Sequence, residues 1–362
     1  MKLARSVQVT GWLLEHFPEL SVELGKLESR WLDNKIRDVA IKRPVYIGSL
    51  ARSGSTILLE SIVEHASTAS FCYRDFPFVH IPVWWRQLSG KIFDMDAPPA
   101  ERAHGDRILV TPNSPEAFEE IIWMHFFSAI HQANASQKIS DERCYPEFEQ
   151  YYRAVIQKLL WQQGAARYVA KGNYIISRID CLSRLFPDAQ FVIPVRHPLT
   201  QVASLLRQHQ RFCHLEHEDD AILKYMQRSG HFEFGLDRRP VNIGRPEDSR
   251  SIRQYFENGQ DVEGYAEQWR VVYGYVNEIR SRTNIKLVCY EQLCANADVV
   301  LSDLYHWLGL EVSAGQHESW RQRFSLPQHR QALLSLDDEQ KIWRMTADVA
   351  QAFGYMLSSP GI

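Results

Sequence analysis

The chain has 362 residues, and 41 Lys and Arg residues against 44 Asp and Glu residues leave a net charge of −3. This balance argues against a dedicated nucleic-acid binder, which carries a strong excess of positive charge, but it leaves room for a local basic pocket. Hydrophobic residues make up 45% of the chain, which is typical of a globular protein. The length fits one α/β domain with insertions or two small domains.

The six cysteines are scattered without CxxC pairs or histidines at zinc spacing. We therefore expect buried apolar thiols, and neither a disulfide framework nor a metal site. The N-terminus is a poor signal peptide because Gln8, Thr10 and Gly11 interrupt its apolar run. The sequence contains no stretch of about 20 apolar residues that would predict a transmembrane segment. The expected location is the cytoplasm.

The first 43 residues predict a helical segment that packs on the outside of the main domain. Within it, residues 12–40 place apolar side chains at helical spacing among charged ones, which indicates one or two amphipathic helices. We predict that residues 44–362 form a single domain, with insertions at about 76–150 and 213–264.

Residues 44–67 predict a strand, a turn rich in small residues, and a helix. The free amides and the dipole at the N-terminus of such a helix favour a bound anion. Gly54 lets the backbone approach that anion closely, and Arg52 adds a positive charge. The expected phosphate-binding residues are Arg52, Ser53, Gly54, Ser55 and Thr56.

This loop does not match the Walker A motif of P-loop nucleoside triphosphatases (NTPases). That motif, G-x-x-x-x-G-K-[ST], places a Lys on the β- and γ-phosphates. Here Gly48 and Gly54 are one residue too far apart, and Ser55 stands at the position of the Lys. The alternative interpretation of the stretch is a serine-capped turn before an ordinary helix.

Strands and helices alternate along the rest of the chain. Residues 69–85 predict a second strand that runs into an aromatic loop. Later strands are predicted at residues 168–171, 190–195 and 286–290. Helices are predicted at residues 116–131, 147–163, 175–186, 199–212, 265–282 and 297–308, and the polar residues 213–264 suggest a mobile insertion or lid. The pattern predicts an α/β fold with a P-loop-like parallel β-sheet flanked by helices, with helical and loop insertions.

Residues 191–212, FVIPVRHPLTQVASLLRQHQRF, predict a second anion-binding element. A buried strand ends at Arg196, and Ser204 lies about two turns farther along the next helix. Ligands bind such sheets at the carboxyl ends of the strands, so we expect Arg196 and Ser204 to face the same crevice as Arg52. A guanidinium with a hydroxyl suits a phosphate that is held and not reacted. A P-loop NTPase would instead place an Asp there to hold Mg²⁺.

With both elements in view, the chain resembles the sulfotransferases that use 3′-phosphoadenosine 5′-phosphosulfate (PAPS). GSLARSGST is similar to their phosphosulfate loop, LFPDAQFVIPVRHPLTQVAS to their 3′-phosphate-binding strand and helix, and CYEQLCANADVVLSDLYHWLGL to a late segment. The resemblance covers roughly residues 45–75 and 165–310. It implies that Arg196 and Ser204 bind the 3′-phosphate, that adenosine 3′,5′-bisphosphate is the product, and that no metal is required.

Within that family, the chain looks nearer to the bacterial and tyrosylprotein or carbohydrate branch than to the cytosolic aryl and steroid enzymes. The cytosolic enzymes carry Lys where this chain has Arg52, and their catalytic His has no clear counterpart here. In the tyrosylprotein type, a carboxylate after the second strand is the base, and a later Lys contacts the transferring group. Asp75 and Lys171 match those positions, with Asp in place of the usual Glu. The alternative bases are His80, His125 and His197.

The resemblance implies in-line transfer of a sulfuryl group from PAPS to a hydroxyl acceptor. Asp75 would remove the acceptor proton, Arg52 would neutralise charge on the 5′-phosphate, and Lys171 would steady the sulfuryl oxygens. The expected acceptor is a carbohydrate or another small hydroxylated metabolite, with a peptide tyrosine as the alternative. A nucleotide kinase and a non-catalytic nucleotide-binding scaffold are the alternatives from other classes. An aromatic cluster after Asp75 lines either an acceptor pocket or ordinary core: Phe76, Phe78, Trp84, Trp85 and Phe93.

Overall fold

A five-stranded parallel β-sheet forms the centre of the protein. The structure is a computed structural model that describes residues 18–90, 98–102, 104–106, 108–132, 136–139, 144–324 and 334–357. Its strands are, in chain order, β1 (Val45–Gly48), β2 (Thr68–Ala69), β3 (Ala100–Glu101), β4 (Leu109–Val110), β5 (Arg167–Gly172), β6 (Gln190–Val195) and β7 (Ile285–Cys289). The sheet has the order β2-β5-β1-β6-β7, and β3 and β4 form a separate antiparallel pair.

β1 lies in the middle of the sheet, parallel to β5 on one side and to β6 on the other. Its register pairs Gly48 with Gly172, so β1 and β5 end level with each other. All four residues of β1 are buried, as is usual for a strand covered by helices on both faces. The predicted α/β fold with a parallel sheet flanked by helices is confirmed.

The helices cover both faces of the sheet. In chain order they are α1 (Pro18–Trp31), α2 (Asp33–Ile36), α3 (Ser55–Val63), α4 (Pro82–Ser89), α5 (Glu120–Phe126), α6 (Pro146–Gln163), α7 (Ile179–Leu185), α8 (Pro198–Glu218), α9 (Asp220–Ser229), α10 (Pro246–Glu257), α11 (Asp261–Ile279), α12 (Tyr290–Ala295), α13 (Ala297–Leu308), α14 (Ala314–Arg323) and α15 (Leu336–Ala352). Short 3₁₀ turns lie at Tyr73–Asp75 and Ile175–Ser177.

Successive residues of β1 point to opposite faces of the sheet and enter different cores. Tyr46 joins the larger core, which contains apolar residues of α6 and α11. Val45 and Ile47 join a second core with residues of α3 and α13. This two-sided burial fixes β1 between its neighbours, so the turn that follows it starts from a rigid strand end.

The structure revises three predictions outside the sheet. The polar stretch 213–264 contains the end of α8 and the helices α9 and α10, with Ile252 fully buried, so much of it is ordered helix. The predicted aromatic loop after β2 includes the helix α4. Cys144 and Cys181 pair as a disulfide, which the scattered cysteine spacing did not predict.

The N-terminal helix α1 packs against α6 through a buried ion pair. The ammonium of Lys158 lies 2.9 Å from a carboxylate oxygen of Glu28, and both side chains are fully buried. Residues 1–17, which belong to the predicted N-terminal segment, lie outside the described residues. The boundary near residue 43 and the single-domain assignment remain predictions.

Among the helices of the described part of the chain, none combines the length and the apolar character needed to cross a membrane.

Candidate functional site

The turn after β1 is a narrow loop that leads into the N-terminus of α3. Gly54 precedes the helix with φ at 92°, and a Cβ on it would lie 2.6 Å from a ring carbon of Tyr290. Only glycine avoids both the backbone strain and the clash. Ser53 is fully buried, and its hydroxyl has no hydrogen-bond partner among the described residues. A buried unpaired hydroxyl beside free helix amides fits a loop that takes an anionic ligand.

Arg52 occupies the middle of this loop and reaches towards α8. Its Nε donates to the hydroxyl of Ser204 at 3.1 Å, and its Nη1 donates to a carboxylate oxygen of Asp106 at 2.8 Å. Burial lowers the pKa of Arg52 from its ordinary value, against the attraction of Asp106. The structure therefore places Arg52 and Ser204, two residues singled out from the sequence, side by side.

Arg196 follows β6 and contacts the same loop from the other side. Its Nη1 donates to the carbonyl oxygen of Arg52 at 2.9 Å, and its Nε donates to Thr200 at 3.1 Å. The guanidinium lies 4.4 Å from the ring centre of Tyr290, a cation–π contact. The indole of Trp269 donates to the main-chain oxygen of Arg196 at 3.1 Å. Side chains from three helices thus hold Arg196 at the end of its strand.

Buried hydrogen bonds tie the loop to β6 and α8. The hydroxyl of Ser49 donates to the carbonyl of Pro194 at 2.7 Å, and it pairs with the hydroxyl of Tyr273 at 2.8 Å. The amide of Gln201 donates to the carbonyl of Ala51 at 3.0 Å. These bonds fix the loop before α3 relative to the end of β6 and the start of α8.

Lys171 lies near the end of β5, paired with Ile47 of β1 in the sheet, and is buried. Its ammonium is 3.4 Å from the carboxylate of Glu116. The same carboxylate accepts from the hydroxyl of Tyr73 at 2.7 Å and lies 3.7 Å from Arg102. Burial raises the pKa of Glu116, but Lys171 and the other cations outweigh it, so the pKa lies well below its ordinary value.

A second acidic residue, Asp106, lies between two guanidinium groups. It accepts from Arg52 at 2.8 Å and from Arg102 at 2.5 Å, and Arg102 also approaches the hydroxyl of Thr56 at 3.4 Å. Burial raises the pKa of Asp106, but the hydrogen bonds and charges of both arginines hold it well below its ordinary value. Asp106 is therefore a fixed negative charge over the phosphate loop, the segment 51–56 that is named for its expected ligand. Neither Asp106 nor Glu116 was singled out from the sequence, because nothing local marks them.

Asp75, the base expected from the sequence, lies in a different environment. It is fully buried, and Arg86 donates to both of its carboxylate oxygens at 2.6 Å. The amide of Cys72 adds a third hydrogen bond at 2.8 Å. A fully buried carboxylate with both oxygens engaged is out of reach of an acceptor hydroxyl. The base role of Asp75 stays a prediction, and these contacts argue against it.

The three alternative histidines make contacts typical of core and capping residues. His80 pairs with the hydroxyl of Tyr151 and with His125, each at 2.7 Å, and burial lowers the pKa of His125 to about 4. His197 caps α8 and packs against the ring of Tyr355.

The aromatic cluster also contributes to packing. Phe76 lies 5.3 Å from Phe118 and 5.1 Å from Tyr225 between ring centres, and Phe78 lies 4.4 Å from Trp85. Phe93, the fifth member of the cluster named from the sequence, falls outside the described residues.

In the ranges that the structure describes, no group of three or more His, Cys, Asp and Glu side chains is arranged to hold a metal ion. The charged residues that gather at the carboxyl edge of the sheet are Arg52, Arg102, Asp106, Glu116, Lys171 and Arg196.

Solved structures of two mycobacterial proteins are similar to this chain. Sulfotransferase STF1 from Mycobacterium tuberculosis H37Rv superposes with a TM-score of 0.52 at 16% identity, over 94% of this chain and 87% of its own. Sulfotransferase STF9 from Mycobacterium avium superposes with a TM-score of 0.50 at 13% identity, over 92% of this chain and 83% of its own. At such low identity the similarity shows the fold. No curated protein matches the chain significantly.

A sequence profile described as the sulfotransferase family matches residues 44–232. The matched range is more than half of the chain, and it includes the phosphate loop, Lys171, Arg196 and Ser204. This chain belongs to the sulfotransferase family.

Proposed function

We propose that the protein transfers the sulfuryl group of PAPS to a hydroxyl acceptor. The observation that carries the proposal is the pairing of Arg52 and Arg196 at the carboxyl edge of the sheet. One guanidinium lies in the loop before α3 and the other follows β6, joined by the 2.9 Å hydrogen bond from Arg196 to the carbonyl of Arg52. Two phosphate-sized anions on one adenosine need two such cationic positions.

Each residue of the edge has a separate role in the proposed reaction. Arg196 and Ser204 hold the 3′-phosphate, and the loop amides with Arg52 take the 5′-phosphosulfate. Lys171 steadies the sulfuryl oxygens as negative charge shifts towards the leaving phosphate. Preorganised charges of this kind stabilise a transition state without moving, and we expect them to supply most of the rate.

The proposed acceptor is a carbohydrate or another small hydroxylated metabolite. The basis is the resemblance to the carbohydrate branch, and a tyrosine in a peptide is the alternative. The aromatic side chains near α4 support neither choice, because Phe76 and Phe78 are engaged in core packing.

A thermal-shift comparison tests the donor site. We expect adenosine 3′,5′-bisphosphate to raise the melting temperature, and we expect AMP and ATP with Mg²⁺ to do so less. At a ligand concentration 100 times the dissociation constant, binding adds about 2.7 kcal/mol to the free energy of unfolding. Arg196→Ala should abolish the shift, whereas Arg250→Ala, a change at an exposed residue of α10, should retain it.

Two outcomes would overturn the proposal. Stabilisation by ATP with Mg²⁺ and not by the bisphosphate would indicate a nucleotide kinase. Binding of the bisphosphate without turnover of PAPS on any acceptor would indicate a non-catalytic scaffold.

A further inference from the structure

His231 and Glu233 form an acid–base pair on the loop after α9, which no resemblance or motif singles out. The Nδ1 atom of His231 lies 3.5 Å from Oε2 of Glu233. The Glu233 side chain is only 2% exposed, and that of His231 is 15% exposed. A histidine with a buried carboxylate behind it is an arrangement that orients an imidazole for proton transfer.

Hydrogen bonds fix Glu233 to the edge of the sheet. Asn173, directly after β5, donates from its amide to Oε1 of Glu233. The hydroxyl of Tyr265 in α11 donates to the main-chain oxygen of Glu233 at 3.0 Å. Because Asn173 is two residues beyond Lys171, the His231–Glu233 pair is held at the strand end that also presents Lys171.

His231 acts electrostatically on the proposed active site. Burial raises the pKa of Glu116, but the surrounding positive charges, led by Lys171, lower it, and the imidazole of His231 adds to them when it carries a second proton. His231 also lowers the pKa of His104, after burial and the nearby arginines. Through Glu233 and Asn173 the imidazole is tied to the strand end that presents Lys171, and its Nε2 makes no hydrogen bond within the described part of the chain.

Glu233 favours a particular tautomer of His231. Burial raises the pKa of Glu233, but the interactions with His231 and Asn173 outweigh it and lower the pKa from its ordinary value. The carboxylate thus stays charged and favours a proton on Nδ1, so that Nε2 is able to accept one. Within the described residues, Oε2 of Glu233 has no hydrogen bond, and His231 is its neighbour at 3.5 Å.

The three carboxylates near the site are poor candidates for the base. Asp75 is held by both of its oxygens, and Asp106 and Glu116 are each held by cations that depress their pKa far below neutrality. A general base works best when its pKa lies near the working pH, so strongly depressed carboxylates accept a proton poorly.

We propose that His231 is the general base for the acceptor hydroxyl and that Glu233 is its positioning residue, an inference that rests on the proposed sulfuryl transfer. The acceptor hydroxyl gives its proton to Nε2 of His231 while its oxygen bonds to sulfur. The bond from sulfur to the 5′-phosphate oxygen breaks, and its electron pair stays on that oxygen. The products are a sulfate ester and adenosine 3′,5′-bisphosphate, and His231 then releases the proton to solvent.

Turnover of radiolabelled PAPS by variants of the full chain tests this proposal. The acceptors are water, a monosaccharide, a disaccharide, 2-naphthol and a tyrosine-containing peptide, with the best of them used throughout. His231→Ala should lower kcat by about 10²–10⁴-fold. The control His214→Ala removes a largely exposed histidine of α8 and should leave kcat unchanged.

Two further measurements separate a base from a structural residue. Added imidazole should restore part of the activity of His231→Ala and should have no such effect on Glu116→Gln. Glu233→Gln should lower kcat with little change in the KM for PAPS. Both variants should keep the thermal shift with adenosine 3′,5′-bisphosphate, which shows that the fold and the donor site are intact.

Turnover by His231→Ala within about threefold of the wild-type rate would overturn the base assignment. The assignment would also be overturned if His231→Ala binds the bisphosphate, loses activity, and regains none of it when imidazole is added. Failure of the wild-type protein to bind the bisphosphate would overturn the proposed function itself. Binding by the wild type without any turnover of PAPS, water included, would overturn both.

Discussion

In the proposed donor site, the single residue Asp106 would set the affinity of the loop before α3. Its carboxylate lies 2.8 Å from Arg52 and 2.5 Å from Arg102, so it neutralises the charge that a phosphosulfate would meet. A bound donor competes with Asp106 for Arg52. The carboxylate therefore holds Arg52 in place at some cost in donor affinity.

We expect Asp106→Asn to tighten the binding of adenosine 3′,5′-bisphosphate by about tenfold, equivalent to about 1.4 kcal/mol. The amide keeps the size of the side chain and removes the competing negative charge. Isothermal titration calorimetry measures the affinity, and Asp237→Asn, at another Arg–Asp pair, is the matched control. A tenfold weaker affinity would show instead that Asp106 is needed to orient Arg52.

Residues of the site differed in how well the sequence predicted them. Arg52 and Arg196 could be found because each closely follows a predicted strand. Ser204 could be found because it lies on the helix that comes after the second of these strands. Such a pattern is visible within about ten residues of sequence. Glu116 and His231 reach the site from loops far away in sequence, and no local pattern marks them. Their positions depend on long-range packing, which a single sequence does not display.

At the scale of elements, the Asp75–Arg86 ion pair joins a 3₁₀ turn to the helix α4. The indole of Trp85 in α4 also donates to the carbonyl of Arg74 in the turn, and both side chains of the ion pair are at most 5% exposed. Removal of one partner from a buried pair leaves the other charge uncompensated. The pair therefore has a structural role in which the carboxylate itself is not free to react.

We expect Asp75→Asn to lower the free energy of unfolding by about 3–5 kcal/mol, because Arg86 loses its buried counter-charge. The turnover rate of the folded variant should stay within a few-fold of the wild-type rate. Urea denaturation and PAPS turnover measure the two effects, with Glu278→Gln, at an exposed ion pair, as the control. If turnover instead falls by about 10²-fold or more while bisphosphate binding stays normal, Asp75 is restored as the base.

Elements were predicted best where the apolar pattern was continuous. The strands β1, β5, β6 and β7 and the long helices α6, α8, α11 and α13 lie close to the predicted ranges. The helical content of residues 213–264 was underestimated. The helix α10 buries only Ser249 and Ile252, so the sequence of this helix is mostly polar. The helix predicted at 116–131 begins later, at Glu120, because Glu116 is drawn into the site by Lys171 and Tyr73.

At the scale of the whole molecule, buried histidines make stability depend on pH. His125 of α5 and His80, just before α4, lie 2.7 Å apart, and burial lowers the pKa of His125 to about 4. The unfolded chain binds this proton near the ordinary pKa of about 6.5. Between these values the unfolded state holds more protons, so stability falls as the pH falls.

We expect the wild-type protein to lose about 2 kcal/mol of stability through His125 between pH 7 and pH 5, and about 3 kcal/mol near pH 4. His125→Gln should remove this contribution and flatten the curve of unfolding free energy against pH. Titrating groups away from His125 contribute to both proteins and cancel in the difference, whereas His80, which lies 2.7 Å from His125, adds to the change. Denaturant unfolding at several pH values measures the difference in unfolding free energy between the two proteins. Parallel curves for the two proteins would contradict the expectation.

The position of β1 in the centre of the sheet has a consequence for synthesis on the ribosome. Both of its neighbours, β5 and β6, come later in the chain, and the first of them begins about 120 residues after β1 ends. At 5–20 residues per second, β1 waits about 6–24 s for a partner to be made. During that interval the strand that bears the phosphate loop is an unpaired apolar segment, so we expect nascent chains to need chaperone protection until residue 195 has emerged.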